Sequence, residues 1–80
     1  MFTVYVLFSE NHNKLYIGFT SNLEQRLLSH NKLATKGFTM RYRPWKIIHT
    51  EIFKEKSEAM KRDKALKQGQ GRERIRNTFL

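Results

Sequence analysis

Two short runs near the N-terminus alternate strictly, and they fix most of what this chain can become. In Phe2-Thr3-Val4-Tyr5-Val6-Leu7-Phe8, the side chains of Phe2, Val4, Val6 and Phe8 fall on one side of an extended strand, and those of Thr3, Tyr5 and Leu7 on the other. Leu15 to Thr20 alternates the same way, with Tyr16, Gly18 and Thr20 on one side. The polar break from Ser9 to Asn13 contains Asn11 and Asn13 and reads as a hairpin loop. If the hairpin brings the Tyr5 face against the Tyr16 face, the two phenols become cross-strand neighbours. Gly18 then leaves a gap in that surface where a backbone or a ligand can come close. Two tyrosines beside a glycine, followed by a helix carrying Arg26, predict a pocket rather than a plain sheet face.

Eighty residues make one small domain, residues 1–80, which buries only ~60% of its unfolded surface. The absence of cysteine excludes disulfides and thiolate metal sites and fits a reducing compartment. The N-terminus has no basic region before a long apolar run, and no apolar stretch reaches the ~18 residues of a membrane span. A soluble cytoplasmic protein with no membrane association is the expectation. The net charge of +9 is placed unevenly. Residues 1–40 carry four Lys/Arg against Glu10 and Glu24, a net +2. Residues 41–80 carry twelve against Glu51, Glu55, Glu58, Asp63 and Glu73, a net +7. Such a balance attracts polyanions, nucleic acid foremost.

Ser21 before Asn22-Leu23-Glu24 forms an S-x-x-E capping box and predicts a helix that fades near Asn31 or Lys32. Arg26 and His30, four apart, share one of its faces. Leu33 to Pro44 reads as a basic, irregular connector in which Lys36, Arg41 and Arg43 suit phosphate contacts. Trp45 to Phe53 reads as a third strand with Ile47, Ile48, Ile52 and Phe53 as core candidates. Trp45 is expected to pack rather than to stack on a base. Ser57 caps a second helix that runs to about Gln68 and is broken by Gly69 and Gly71. A last helix, Arg72 to Phe79, turns Ile75 and Phe79 inward and Arg72, Arg74 and Arg76 outward.

Asp63 stands out within the second helix. It lies four residues after Ala59, three after Met60 and three before Leu66, inside their apolar stripe. A carboxylate there costs free energy unless it is paired or binds a metal. A salt bridge to one of the many nearby Lys or Arg side chains is the alternative. Glu58 is a second acidic candidate, but at the helix start its charge is accounted for by the helix dipole. Tyr5 and Tyr16 are acid/base candidates, although a phenol with an ordinary pKa near 10 needs nearby positive charge to act as a base.

Tyr16-Ile17-Gly18 matches the second half of the GIY-YIG nuclease signature, and Thr3-Val4-Tyr5 stands where the first half belongs, keeping its tyrosine. Arg26 follows Gly18 by eight positions, where that family carries its helix arginine. Over nearly its whole length the chain resembles the short, stand-alone GIY-YIG members. The resemblance implies an α/β domain with a small, mainly antiparallel three-stranded sheet flanked by helices. It implies metal-dependent endonuclease action on nucleic acid, DNA ahead of RNA, in DNA repair or processing, with one Mg or Mn ion. Asp63, before Lys64-Ala65-Leu66-Lys67, stands where the family has its metal-binding glutamate and is one methylene shorter. By the same resemblance Tyr5 activates water, Tyr16 supports it, Arg26 clamps the scissile phosphate, and His30 assists as proton donor or phosphate ligand. Gly18, Lys36, Arg41, Arg43, Lys64, Lys67, Arg72, Arg74 and Arg76 are the expected nucleic-acid contacts. A domain this small has little surface for sequence readout, so a protein partner or a homodimer is expected to assist targeting. A catalytically degenerate nucleic-acid-binding module is the second reading, and a basic docking domain for an acidic protein the third.

Overall fold

The structure, a computed structural model, describes residues 1–33 and 37–80. Three strands, β1 (Phe2–Ser9), β2 (Lys14–Thr20) and β3 (Lys46–Phe53), form one antiparallel sheet in the order β2-β1-β3. β1, the strand with the cleanest alternation, is central. Helix α1 (Leu23–Leu28) runs into a π-helical turn (Ser29–Leu33), and a single helical turn α2 (Phe38–Arg41) interrupts the expected irregular connector. Helices α3 (Lys56–Lys67) and α4 (Gly71–Phe79) complete the domain. No helix among the described residues is long and apolar enough to cross a membrane.

The sheet is covered on both faces because β1 and β2 are apolar on both. Val4, Val6, Leu15 and Ile17 pack with Ala59 and Leu66 of α3 and Ile75 of α4. Tyr5 and Leu7 pack on the other face with Trp45, flanked by Tyr16, Leu23, Leu27 and Tyr42. The alternation in Phe2–Phe8 thus sorts residues between two layers, and the tyrosines belong to the α1 layer.

β3 departs from its expected pattern. A bulge between Val6 and Leu7 puts Val6 opposite His49 but Leu7 opposite Ile47. The extra residue shifts the alternation: Ile48 joins the core, while Ile47 and Ile52 stay 38% and 67% exposed. Met60 of α3 is likewise half exposed, so the buried stripe of that helix is Ala59 and Leu66.

Both caps differ from their sequence expectation. The cap of α1 is Asn22 rather than Ser21, with its Oδ1 accepting from the Gln25 N–H at 3.2 Å; asparagine caps as well as serine does. α3 begins ahead of Ser57, where the Glu58 carboxylate accepts from the Glu55 N–H at 3.2 Å. That bond gives Glu58 a structural role, as expected of a charge at a helix start. Between α3 and α4 the turn is tight, since a side chain at Gly71 would begin 2.2 Å from the Leu66 carbonyl oxygen.

Candidate active site

Tyr5 sits opposite Gly18 in the β1–β2 register, and Leu7 sits opposite Tyr16. The phenols are therefore diagonal neighbours, with ring centroids 6.3 Å apart and planes 25° from parallel. The gap predicted at Gly18 is filled from within. A Cβ on Gly18 would lie 2.6 Å from the Tyr5 hydroxyl and 2.9 Å from its Cζ. Gly18 is buried, and its missing side chain lets the Tyr5 ring lie across β2; it does not open a place for a ligand.

His30 completes the cluster. Its Nε2 lies 2.9 Å from the Tyr5 hydroxyl in a buried contact, and its ring centroid is 4.7 Å from that of Tyr16. Straight α-helical spacing puts His30 near Arg26; the widening to a π-helical turn at Ser29 sets where the imidazole enters. Arg43 fixes that turn from the connector, donating from Nε to the His30 carbonyl at 2.7 Å and from Nη2 to the Ser29 carbonyl at 3.2 Å. Asn31 ties the next residue to Trp45, accepting from the Trp45 N–H at 2.6 Å and donating to its carbonyl at 3.0 Å. Trp45 is buried, and its indole N–H donates to the Thr39 carbonyl at 2.8 Å. Neither Arg43 nor Asn31 announces this scaffolding role in the sequence, because their partners lie 13 to 14 residues away.

The electrostatics assign the protons. Burial pushes the Tyr5 phenol above its ordinary value; Arg26 opposes that by hydrogen bonding, while the Tyr16 and Asp63 charges add to it. Burial, and then the charges of Arg26 and Arg43, hold His30 below its ordinary value of 6.5. Near neutral pH the phenol is protonated and the imidazole neutral. The Tyr5–His30 contact therefore joins two neutral groups, and the Arg26 guanidinium, whose N–H groups are all donors, acts on the same phenol. Interaction with Tyr5 first, and then with Tyr16, keeps the Arg26 guanidinium charged.

Asp63 approaches from α3, which packs against the opposite face of β2 and β1. Its carboxylate is close enough for its charge to act on the Tyr5 phenol. The side chain is 13% exposed; Oδ2 pairs with Lys67 Nζ at 3.1 Å, while Oδ1 is buried without a hydrogen-bond partner. Among the described residues no three His, Cys, Asp or Glu side chains gather to hold a metal. One carboxylate with an unsatisfied oxygen still fits Mg²⁺ or Mn²⁺, because such ions keep several waters and draw other ligands from substrate phosphates.

Two hollows flank this cluster. One, of about 300 Å³, is lined by Arg26 with Thr20, Asn22, Gln25 and Ser29. The other, of about 330 Å³, is lined by Tyr16, Lys67 and Arg72 with Leu15 and Ile17. The three arginines of α4 therefore do not share an outer face. Residues two apart on a helix point about 200° away from each other, so Arg74 lies far from Arg72 and Arg76. Arg72 borders the Tyr16 groove, whereas Arg74 lines a separate cleft of about 430 Å³ with Glu51, Arg62 and Phe79. Phe79 is 41% exposed and stacks on His49 rather than entering the core. Arg76 donates to Asn13 Oδ1 at 2.6 Å and to the Asn13 carbonyl at 2.9 Å, pinning α4 to the hairpin loop. Arg41 is exposed beside the Tyr42 ring, and Lys64 is exposed on α3. Lys36 lies outside the described residues.

Known proteins give this arrangement its family. The profile of the GIY-YIG catalytic domain matches residues 1–76. The UPF0213 protein of Staphylococcus haemolyticus is 40% identical over 55 residues, covering 69% of this chain and 67% of that protein. The UPF0213 protein of Bacillus velezensis is 41% identical over 58 residues, 72% of this chain but 59% of its own length. The one from Natronomonas pharaonis is 38% identical over 64 residues, 80% of this chain and 74% of its own. The match thus spans about three fifths to three quarters of these relatives. A UPF0213 protein from Bacillus halodurans, solved in solution by NMR, shares the fold with a TM-score of 0.56 at 25% identity, covering 95% of this chain and 81% of that one. A profile match that runs from the first strand into the last helix means that this chain belongs to the GIY-YIG catalytic domain family.

Proposed function

We propose that this chain is a metal-dependent endonuclease that hydrolyses phosphodiester bonds in nucleic acid, DNA ahead of RNA, in repair or processing. The observation that carries the proposal is a buried proton path. The Tyr5 hydroxyl lies 2.9 Å from His30 Nε2, a bond that the phenol can donate to the neutral imidazole, and the Arg26 guanidinium acts on the same phenol. A phenol with an ordinary pKa near 10 is a poor base by itself. With a neutral imidazole waiting behind it, the Tyr5 oxygen can take a proton from an attacking water as its own proton passes to His30. Tyr16, stacked on Tyr5 at the mouth of the groove, orients the water and the phosphate. Arg26 donates to the equatorial oxygens of the scissile phosphate as negative charge builds there.

Asp63 is the residue that would hold the divalent ion. When bound, Mg²⁺ or Mn²⁺ supplies Lewis-acid stabilisation of the leaving oxygen and of charge on the phosphate. Lys67 and Arg72 on one side, with the hollow at Arg26 on the other, offer a path for the nucleic-acid backbone along the outer edge of β2. Arg43 and Arg76 each give two hydrogen bonds to the chain itself, so their first role is to hold the fold around the site.

Cleavage of a flapped or branched DNA by wild type and Asp63→Asn, with and without Mg²⁺ or Mn²⁺, tests the proposal. Metal-dependent cutting that disappears in the variant supports it. Salt-sensitive binding with no cutting by wild type favours a nucleic-acid-binding module instead, a reading motivated by the Lys67 ammonium that already pairs with Asp63.

A further inference from the structure

We propose that Lys67 is a positioning residue of this site: it holds Asp63 in the metal-free protein and passes to a substrate phosphate, in the groove it shares with Tyr16 and Arg72, when the cation arrives. The proposal rests on the nuclease reading above. Its first support is the state of Asp63. Oδ1 is buried and unpartnered, and Oδ2 is held by Lys67 Nζ at 3.1 Å. A carboxylate this enclosed stays charged at a cost unless a cation attends it. Lys67 is the cation seated on it, through the carboxylate oxygen other than the buried Oδ1. An ammonium and a divalent ion on one carboxylate repel each other strongly, so one must leave.

Lys67 is able to leave. It is the last residue of α3, 43% exposed, on a flexible four-carbon stem. Its destination is already built. The groove of about 330 Å³ carries the Lys67 and Arg72 cations and the Tyr16 phenol on the apolar floor of Leu15 and Ile17. The wall that carries Arg72 is held in place at two points. Gly71 packs so close to Leu66 that no side chain fits there, and Arg76 grips Asn13 in the hairpin loop one turn later. Two cations and a hydroxyl at the border of the Tyr5–Tyr16 pair fit a phosphodiester group next to the scissile one.

The consequence is coupling. Metal binding frees Lys67 for the phosphate, and phosphate binding draws Lys67 away from the metal position, so each ligand favours the other by the same factor. Lys67 therefore guards Asp63, and the site assembles more readily with nucleic acid present.

Mn²⁺ binding followed by electron paramagnetic resonance, together with anisotropy of a fluorescent flapped DNA, tests this on the full chain. Lys67→Gln should bind Mn²⁺ about five-fold tighter without DNA, and should bind DNA about three-fold more weakly in EDTA. The mutual enhancement between Mn²⁺ and DNA should fall towards one. Lys67→Arg should recover DNA binding but weaken Mn²⁺ binding, because its fork grips Asp63 more firmly. Arg72→Gln should weaken DNA binding and leave the DNA-free Mn²⁺ affinity unchanged. If Asp63→Asn abolishes Mn²⁺ binding while Lys67→Gln leaves it unchanged or weakens it, the guarding role of Lys67 is wrong and the metal site stands. If Asp63→Asn leaves Mn²⁺ binding intact, the metal role of Asp63 fails and takes this proposal with it.

Discussion

The hydroxyl of Tyr5 and the Nε2 of His30, 25 residues apart in sequence, lie 2.9 Å apart inside the protein, and both residues are buried. The contact links the candidate chemistry to the stability of the fold. It also fixes the sign of the pH dependence.

His30 titrates below 6.5 in the folded state because burial and the charges of Arg26 and Arg43 oppose its protonation. The unfolded chain then binds more protons, so stability should fall as pH drops through 6.5 and below. Tyr5 titrates above 10.0, and its contribution should be present below pH 10 and lost as pH rises further. Glu51 adds a third window. Burial pushes it up, but bonds from Arg62 and His49 outweigh that and hold it below 4.5. Its contribution is lost as pH falls through that lowered value. Thermal melts of wild type and His30→Gln between about pH 2 and pH 11 separate the windows: the variant should lose the decline that begins near 6.5 and keep the other two. An unchanged profile would mean that His30 is not held neutral.

Gly18→Ala should be disproportionately harmful for one methyl group. Its Cβ would lie 2.6 Å from the Tyr5 hydroxyl and 3.3 Å from Tyr16 Cε1, so the Tyr5 ring must move off His30. Overpacking of this kind costs about 1–3 kcal/mol, and a misplacement of about 1 Å at reacting groups costs about 100-fold in rate. Urea denaturation and cleavage assays read the two effects. Full activity in the variant would remove Tyr5 from the chemistry.

Asp63→Asn keeps the size of the side chain and removes its charge. It should abolish metal-dependent cleavage and leave nucleic-acid affinity within about two-fold, because the basic residues remain. It should not destabilise the protein by more than about 0.5 kcal/mol, since the unpartnered Oδ1 no longer belongs to a buried charge. Asp63→Glu adds the methylene that the family residue carries. If reach limits metal binding, Mn²⁺ affinity should rise; a fall would mean that α3 is seated for the shorter side chain.

Arg72, Arg74 and Arg76 should separate cleanly. Log–log salt titrations of duplex DNA binding should have a slope of about −4 to −5 if four to six phosphates are neutralised. Arg72→Gln should reduce that slope by about one. Arg76→Gln should leave the slope nearly unchanged and destabilise the fold by about 1–2 kcal/mol, because two bonds to Asn13 are lost. Arg74→Gln, on the cleft beside Glu51, should do little to either. Equal effects from all three would restore a single basic face on α4.

Much of this protein is local in origin and readable from its residues. The period-two alternation of Phe2–Phe8 and Leu15–Thr20 determines which residues enter which layer, because a strand has no other way to distribute its side chains. It put Tyr5, Tyr16 and Gly18 on one face, and the helix after them carried Arg26 to that face. What tertiary structure alone decided depends on partners distant in sequence. A bulge in β3 exposed Ile47 and Ile52. Arg43, reaching back 13 residues, holds the π-helical turn that carries His30 to the Tyr5 hydroxyl. Arg76 binds Asn13, 63 positions away, while Arg72, four residues earlier, faces the groove of Tyr16. Charge and helix period tell such arginines apart only by angle. The element packed at each angle is set when the layers close, and that closure made one arginine a clamp and left the other beside the candidate site.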